Sequence, residues 1–174
     1  MNDLELLDRT TLRIAGAIQE SIVDGPGIRY VIFTQGCNFH CKGCHNQQSW
    51  DLKGGIEVKM RVLYEEFRSN PLITGITFSG GEPFLQAEPL TIFARFAKEQ
   101  GYSLWAYSGF TFDKLLSDPK RKALLQLLDV VVDGPFILSK KSLQIDFRGS
   151  TNQRIIDVQK SLKEGSVILA EGYV

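Results

Sequence analysis

The chain has 174 residues, enough for one sizeable core, and we predict a single domain across residues 1–174. Its 20 basic and 20 acidic residues balance to a net charge of zero, so no basic excess points to nucleic acid as a partner. No apolar run approaches the roughly 20 residues that cross a bilayer, and the early acidic residues Asp3, Glu5 and Asp8 are unlike a signal peptide. With free cysteines, these features lead us to expect a protein of the reducing cytoplasm, with no membrane partner.

Strand and helix patterns alternate along the chain. Runs of β-branched and aromatic residues predict strands, and apolar residues three or four apart predict helices. In chain order we predict a strand at 29–35, a helix at 57–68, a strand at 73–78, a helix at 87–100, a strand at 102–107, a helix at 115–128 interrupted near Asp118-Pro119, and a strand at 130–133. Segments 154–157 and 166–170 are weaker strand predictions.

This alternation predicts an α/β fold. Short links between strands and helices imply right-handed crossovers and a parallel sheet. Eight βα units take about 250 residues, so we expect a partial, open (βα) barrel with a mostly parallel sheet. Both motifs described below follow strand ends on one side of that sheet, where such folds place their sites.

All the cysteines, Cys37, Cys41 and Cys44, fall in one short run after the first predicted strand. Their C-x3-C-x2-C spacing suits three thiolates that grip three corners of a cubane iron–sulfur cluster, which four cysteines normally hold. Because the chain has no fourth cysteine, one iron would lack a protein thiolate. An open metal position is where a substrate or cofactor can bind, a rule best documented for zinc.

Two other interpretations of the cysteine run stay open at this point. A disulfide with a spare thiol is a poor use of an odd number of cysteines packed this closely. A zinc site that adds His40 or His45 is chemically sensible, but zinc modules usually join two separated ligand pairs, and the sequence has no second pair. The spacing alone therefore favours a cluster without deciding the matter.

A second motif, Gly80-Gly81-Glu82-Pro83, follows the predicted strand at 73–78 and precedes a predicted helix. Two adjacent glycines have no side chains and permit unusual backbone angles, so main-chain groups can approach a small molecule closely. Alone, a pair of glycines indicates only an ordinary turn. Combined with the cysteine run, it indicates a small-molecule site beside the cluster.

Together these motifs resemble the radical S-adenosylmethionine superfamily, in which C-x3-C-x2-C holds the cluster and a Gly-Gly-Glu-Pro turn holds the amino group of the cofactor. Within that superfamily the chain resembles the activases of glycyl radical enzymes. The segments that carry this resemblance are VDGPGIR at 23–29, QGC at 35–37 and CHN at 44–46. The segments YSGFT at 107–111, DVVVDGPF at 129–136 and FRGSTNQRIID at 147–157 are similar to the branch that activates the anaerobic ribonucleotide reductase.

The resemblance implies one 4Fe-4S cluster held by Cys37, Cys41 and Cys44, with S-adenosylmethionine on the fourth iron. One electron then breaks a carbon–sulfur bond of the sulfonium, and the 5′-deoxyadenosyl radical so formed removes a hydrogen atom from a glycine of a partner enzyme. The cofactors supply this chemistry while the protein positions them. We therefore expect no catalytic side chain beyond the cluster and the cofactor.

The resemblance also implies the contacts to S-adenosylmethionine. The implied cofactor-binding residues are Gly43, Cys44, His45, Gly80, Gly81 and Glu82. The first three would form a backbone shelf for the adenine, and the last three would meet the methionine end. His45 could instead cap the cluster loop, and the Glu82 carboxylate could instead stabilise its own turn.

A monovalent cation is a weaker implication. Asp133 matches an acidic residue that helps to bind such a cation beside the cofactor in other activases. Its acidic companion aligns with Ala106 here, and that departure puts the cation in doubt.

The implied partners are a glycyl radical enzyme, most closely the anaerobic ribonucleoside-triphosphate reductase, and a one-electron donor such as flavodoxin or ferredoxin. Two alternatives within the superfamily remain. One is an activase for an enzyme of the pyruvate formate-lyase type, and the other is a small radical S-adenosylmethionine enzyme that acts on a small molecule such as a pterin. A zinc-binding interaction module is the alternative from another class.

Overall fold

The computed structural model describes all 174 residues, and its strands form one seven-stranded sheet in the order β3-β1-β2-β4-β5-β6-β7. The strands are β1 (Thr11–Ser21), β2 (Arg29–Thr34), β3 (Ile56–Lys59), β4 (Gly75–Gly80), β5 (Ser103–Tyr107), β6 (Val130–Asp133) and β7 (Arg154–Asp157). The helices are α1 (Asp3–Arg9), α2 (Met60–Arg68), α3 (Ala87–Glu99), α4 (Phe112–Ser117), α5 (Pro119–Leu125) and α6 (Val158–Glu164). None of them has the length and apolarity that a membrane span requires.

The centre of the sheet is parallel and its margins are antiparallel. Strands β2, β4, β5 and β6 are parallel neighbours, joined by crossovers that contain helices, as parallel pairing requires. Strands β1 and β3 on one side and β7 on the other run antiparallel to their neighbours. The predicted α/β fold with an open, mostly parallel sheet is confirmed, and the antiparallel margins add to it.

The two faces of the sheet have different environments because side chains alternate along each strand. On β5, Leu104 and Ala106 belong to the main core of 29 buried residues, which also contains the apolar residues of α2, α3 and α5. Trp105, between them, belongs to a smaller cluster that Phe147 and Tyr173 cover. We call this second face the inner face, and the functional cavity lies on it.

The predicted helix at 57–68 is wrong at its beginning. Residues 56–59 form β3, which pairs with β1 in a register that joins Thr11 to Lys59 and Ile14 to Ile56. The helix therefore begins only at Met60. Pairing with a distant strand has overridden the local helical pattern of these residues.

Two other predictions concern interrupted or weak elements. The helix predicted at 115–128 does break at the predicted place, where Asp118 is extended and its side chain caps α5 by accepting from the amides of Lys120 and Arg121. Segment 166–170 is not a strand and contributes only a bridge between Ile156 and Leu169.

Candidate cluster and cofactor site

An open cavity of about 570 Å³ lies on the inner face, and it contains both sequence motifs. A volume of this size is ordinary for a small-molecule site, for which roughly 300–1,000 Å³ is typical. The predicted site residues that line the cavity are Cys37, Cys41, Cys44, His45, Gly80, Gly81 and Glu82. Gly43 does not line it, because Leu138 packs against that glycine so closely that an added Cβ would lie 2.8 Å from Cδ1 of Leu138.

The cysteine loop begins where β2 ends, and backbone bonds fix its base. The amide of Gly36 donates to the carbonyl of Ser49 at 2.7 Å, and the amide of Cys37 donates to the carbonyl of Trp50 at 3.1 Å. The amide of Cys44 closes a turn on the carbonyl of Cys41 at 3.0 Å. The three cysteines therefore sit on a loop with a defined path.

Aromatic contacts hold the same loop from three sides. Phe39 meets Phe110 edge to face, with ring centroids 4.8 Å apart. His40 stacks on Trp50 at 4.7 Å, and His45 lies tilted against Phe136 at 5.6 Å. Phe110 and Phe136 come from segments far along the chain, so the folded sheet helps to position the loop.

The amide of Asn46 donates a hydrogen bond to the sulfur of Cys44 at 3.4 Å. Backbone amides near the other two thiols act in the same sense: those of Phe39 and His40 lower the pKa of Cys37, and that of Phe136 lowers the pKa of Cys41. Backbone donors to sulfur stabilise the thiolate form and are among the features that tune iron–sulfur clusters.

Burial has the opposite effect on two of these thiols. It raises the pKa of Cys37 and of Cys41 above that of an exposed cysteine, and the amide donors offset the increase only in part. Without a metal, both groups are therefore protonated at neutral pH. Iron that binds them must displace these protons.

The arrangement of the cysteines bears on the disulfide and zinc alternatives. The three cysteines are free rather than paired in a disulfide. No three His, Cys, Asp or Glu side chains of the chain are grouped so that they could hold a single metal ion. A zinc site needs ligands that converge on one ion, whereas the cysteines of a cubane each bind a different iron. Three half-buried thiols on one open cavity fit the cluster better.

The glycine turn packs directly against the end of β2. Gly80 has a φ of +98°, and a Cβ there would lie 2.5 Å from the amide nitrogen of Thr34. A Cβ on Gly81 would lie 2.3 Å from the carbonyl oxygen of Gly36. From the sequence, we expected the missing side chains to make room for a cofactor. In the structure, the absence of side chains at Gly80 and Gly81 also lets the glycine turn and the cysteine loop approach each other.

Glu82 is buried, with 1% of its surface exposed, and its carboxylate accepts three hydrogen bonds from the protein. Oε1 accepts from the Ser108 hydroxyl at 2.9 Å and from the Phe84 amide at 3.1 Å, and Oε2 accepts from the Gly109 amide at 2.7 Å. Burial raises the pKa of Glu82 to about 7, against the effect of these donors. The carboxylate thus ties the glycine turn to the segment that follows β5.

Asp133 does not line the cavity, and it already has a cationic partner. Its carboxylate accepts from Nε of Arg154 at 3.0 Å and from Nη2 at 2.6 Å, and also from the Phe112 amide at 2.8 Å. Ala106 occupies the position of the second acidic residue of the implied cation site, and it faces the main core. The guanidinium of Arg154 therefore neutralises the carboxylate that the resemblance assigned to a monovalent cation.

Several residues that line the cavity were not among the predicted site residues. They include Asp24, Tyr107, Arg148 and Gln153, together with the apolar residues Val23, Leu143 and Phe147. Most of them fall within the segments that carried the family resemblance. That resemblance was the only sequence signal for them, since none belongs to a metal-binding or glycine-turn pattern.

Buried Arg29 does not line the cavity, but it holds the loop that carries the lining residue Asp24. Its Nε donates to Oγ1 of Thr77 at 2.7 Å, and its Nη1 donates to the carbonyl of Pro26 at 3.1 Å. The Thr77 hydroxyl in turn donates to the carbonyl of Asp24 at 2.7 Å. These bonds hold the loop between β1 and β2 against the inner face.

Comparisons with known proteins show the family of the chain. The family model described as a 4Fe-4S single cluster domain matches residues 23–156. The chain is 32% identical over 142 residues to the anaerobic ribonucleoside-triphosphate reductase-activating protein of Haemophilus influenzae, covering 77% of this chain and 90% of that protein. It is 34% identical over 142 residues to the protein of the same name from Vibrio cholerae, with the same coverage of 77% and 90%. It is also 34% identical over 162 residues to the pyruvate formate-lyase 1-activating enzyme of Escherichia coli, covering 87% of this chain and 63% of that enzyme.

Proposed function

We propose that this chain installs a glycyl radical on the anaerobic ribonucleoside-triphosphate reductase. The chain belongs to the 4Fe-4S single cluster domain family and to the family of anaerobic ribonucleoside-triphosphate reductase-activating proteins. The observation that carries this proposal is the meeting of three thiols and the double-glycine turn on one open cavity. When bound, a reduced 4Fe-4S cluster and S-adenosylmethionine supply the 5′-deoxyadenosyl radical that removes a hydrogen atom from the α-carbon of the target glycine.

In this proposal Cys37, Cys41 and Cys44 hold three irons of the cluster. Nearby backbone amides favour the thiolate form, and that of Asn46 donates directly to the sulfur of Cys44. The protein provides no fourth thiolate, since the chain has only these cysteines. One corner is therefore left for S-adenosylmethionine.

The remaining predicted contacts surround S-adenosylmethionine. The backbone of Gly80 and Gly81 receives the methionine end, and Glu82 fixes that turn through its bonds to Ser108 and Gly109. His45 is exposed where it lines the cavity. Together with the backbone of Cys44, it forms the shelf for the adenine, and Gly43, which does not line the cavity, belongs to the turn between Cys41 and Cys44 that carries this shelf.

The proposal includes a one-electron donor such as flavodoxin or ferredoxin, because the cluster must be reduced before it can act. It includes a cytoplasmic location, which suits free thiols and an iron–sulfur cluster. It does not include a monovalent cation at Asp133, because Arg154 already supplies the positive charge there.

A second candidate function is the activation of a pyruvate formate-lyase type enzyme. The observation that favours it is the 34% identity to the Escherichia coli pyruvate formate-lyase 1-activating enzyme. The two candidates share the cluster, the cofactor and the type of product. They differ only in the protein that receives the radical.

The test is anaerobic reconstitution with iron and sulfide, followed by assays for 5′-deoxyadenosine and for a protein radical. We expect about four irons per chain, as one cubane implies, and a radical on the reductase. The Cys41→Ala variant should lose both the cluster and the cleavage of S-adenosylmethionine. Stoichiometric zinc without iron would overturn the proposal, and a radical that forms only on pyruvate formate-lyase would move it to the second candidate.

A further inference from the structure

The sheet leaves one stretch of strand edge uncovered. On the β7 side, segment 168–170 closes the edge, because the amide of Asp157 donates to Ile168 and the amide of Ala170 donates to Ile155, both at 2.9 Å. On the other side β3 covers β1 only over residues 11–14. Beyond Ile14 the only strand paired with β1 is β2, and no backbone bond from outside the sheet reaches residues 15–20. We call residues 15–20 the docking edge.

The docking edge carries few of the features that usually protect such strands. Native proteins blunt exposed edges with charged side chains, proline, very short strands, β-bulges or a covering segment, and of these the docking edge has register shifts near its two ends. The four-residue strand β3 follows this rule, with Glu57 and Lys59 exposed. The sequence of the docking edge is Ala-Gly-Ala-Ile-Gln-Glu, which carries a charge only at its last residue. Its backbone groups are therefore available to another strand.

The docking edge leads directly to the cavity. Ile18 pairs in register with Val31, which is buried yet lies outside the main core, unlike its neighbours Tyr30 and Ile32. Ile18 therefore shares the inner face with the cavity. The strand then runs into Ile22 and Val23, which are 74% and 71% exposed, and Val23 lines the cavity itself.

A second exposed apolar side chain lines the same cavity. Leu143 also lines the cavity, and 91% of its surface is exposed. Leu143 and Val23 thus present apolar surface where the cavity meets solvent. A chain that passes Val23 on its way to the cysteines also lies beside the docking edge, because the strand that contains this edge leads to Val23.

We propose that the docking edge binds the protein substrate by strand addition, pairing with an extended segment next to the loop that carries the target glycine. Strand addition uses main-chain hydrogen bonds for affinity, with side-chain contacts on alternate residues for specificity. The docking edge supplies the backbone groups, and Ile18 supplies an apolar contact on the cavity side. This inference rests on the proposed function and names the surface through which the substrate is held.

The size of the docking edge favours a partner that also occupies the cavity over a second copy of this chain. Six residues of strand extend about 20 Å, and standard stable interfaces bury about 1,600 Å², far more than one short strand pair provides. Register shifts between Ile14 and Gly16 and between Ile18 and Ser21 shorten the regular stretch further. Brief pairing of this kind suits an activase that must release its product.

The test is hydrogen exchange of the cluster-loaded chain under anaerobic conditions, with and without the reductase. We expect the amides of the docking edge to become protected when the reductase is added. Unchanged exchange there, with protection confined to residues that line the cavity, would overturn the inference and leave the proposed function standing. Protection that is already present in the concentrated chain alone, with a doubled mass, would assign the docking edge to a second copy and would also overturn it.

A pair of variants adds a kinetic test. Ile18→Lys places a charge on the docking edge, and Leu4→Lys is its control on α1, since both side chains are 47% exposed. We expect Ile18→Lys to raise the half-saturating concentration of reductase about tenfold, because the substitution replaces the apolar contact of Ile18 with a charge. Partner-independent cleavage of S-adenosylmethionine should stay unchanged, and Leu4→Lys should alter neither quantity. Equal half-saturation in both variants would contradict the inference.

A wild-type chain whose docking edge is protected by the reductase, but which forms no radical, would overturn the proposed function instead.

Discussion

The backbone amide of Glu82 donates to the carbonyl of Gly36 at 2.8 Å. Gly36 immediately precedes the first cysteine of the loop, and Glu82 ends the double-glycine turn. This bond joins the two motifs at the carboxyl ends of the neighbouring parallel strands β2 and β4. The position of one motif therefore depends on the position of the other.

A side chain at Gly81 should separate the two motifs. A Cβ there would lie 2.3 Å from the carbonyl oxygen of Gly36 and 2.9 Å from that of Ser49, and neither backbone can yield cheaply. We expect Gly81→Val to weaken the binding of S-adenosylmethionine at least about tenfold, or about 1.4 kcal/mol. Equilibrium binding to the reconstituted protein measures this change.

Gly16→Ala is the matched control for that experiment. A Cβ on Gly16 has nothing within 4 Å, so this variant should bind S-adenosylmethionine as tightly as the wild type. Unchanged affinity in Gly81→Val would show that the turn tolerates movement and that the cofactor does not depend on it.

The stability of the protein should depend on the protonation of Glu82. Burial raises the pKa of this carboxyl from 4.5 to about 7 in the folded state, so folding favours its protonated form. The contribution of Glu82 to the free energy of unfolding is therefore largest below pH 4.5. It falls as the pH rises towards about 7 and stays constant above that.

Urea unfolding of the wild type and of Glu82→Gln across this range tests the prediction. The difference between their free energies of unfolding should shift against the wild type as the pH rises, because glutamine does not ionise. A difference that stays flat, or that moves in the opposite direction, would show that the carboxylate is ionised throughout.

Removal of the Arg154 guanidinium should leave a buried charge without compensation. The side chain of Asp133 is 2% exposed, and its closest ion-pair contact to Arg154 is 2.6 Å. We expect Arg154→Met to lower the free energy of unfolding by about 3 kcal/mol. This value is the lower end of the range for breaking a buried ion pair, and we choose it because Arg154 itself is partly exposed. The solvent-exposed pair of Lys120 with Glu88 provides the control, and Lys120→Met should change stability by less than about 1 kcal/mol. Equal effects of the two variants would mean that the Asp133 carboxylate is well solvated.

Assembly of the cluster should become less favourable as the pH falls. Burial raises the pKa of Cys37 and Cys41, so both thiols must release protons when iron binds. The iron content after reconstitution with limiting iron should therefore rise from weakly acidic to weakly alkaline pH. Iron content that does not change with pH would show that these thiols are already ionised in the apo protein.

The parallel centre of the sheet could be predicted because its elements carry local patterns. The strand at 130–133 is a short apolar run, and Pro119 marks the break between α4 and α5. Strand β1 could not be predicted in the same way, since most of its residues from Ala15 to Glu20 are exposed and show no apolar alternation. Its strand conformation comes from pairing with β2, a long-range effect that local propensity does not encode.

The candidate site also combines features that local sequence patterns predict with contacts that only the folded sheet creates. Cysteine spacing and the double glycine are local signals, and the structure brings them to one cavity. The contacts of Glu82 with Ser108 and Gly109 arise only because β4 and β5 are neighbours. The pairing of Asp133 with Arg154 depends likewise on the antiparallel register of β6 and β7, which no local pattern predicts.

Deuterium transfer from the reductase tests the central claim most directly. The reductase is prepared with glycine that carries deuterium at its α-carbon, and it is mixed anaerobically with the reduced, reconstituted chain and S-adenosylmethionine. We predict that deuterium appears in 5′-deoxyadenosine while the reductase acquires the electron-spin signal of a glycyl radical. 5′-Deoxyadenosine that contains only protium, formed without a radical on the reductase, would contradict the account.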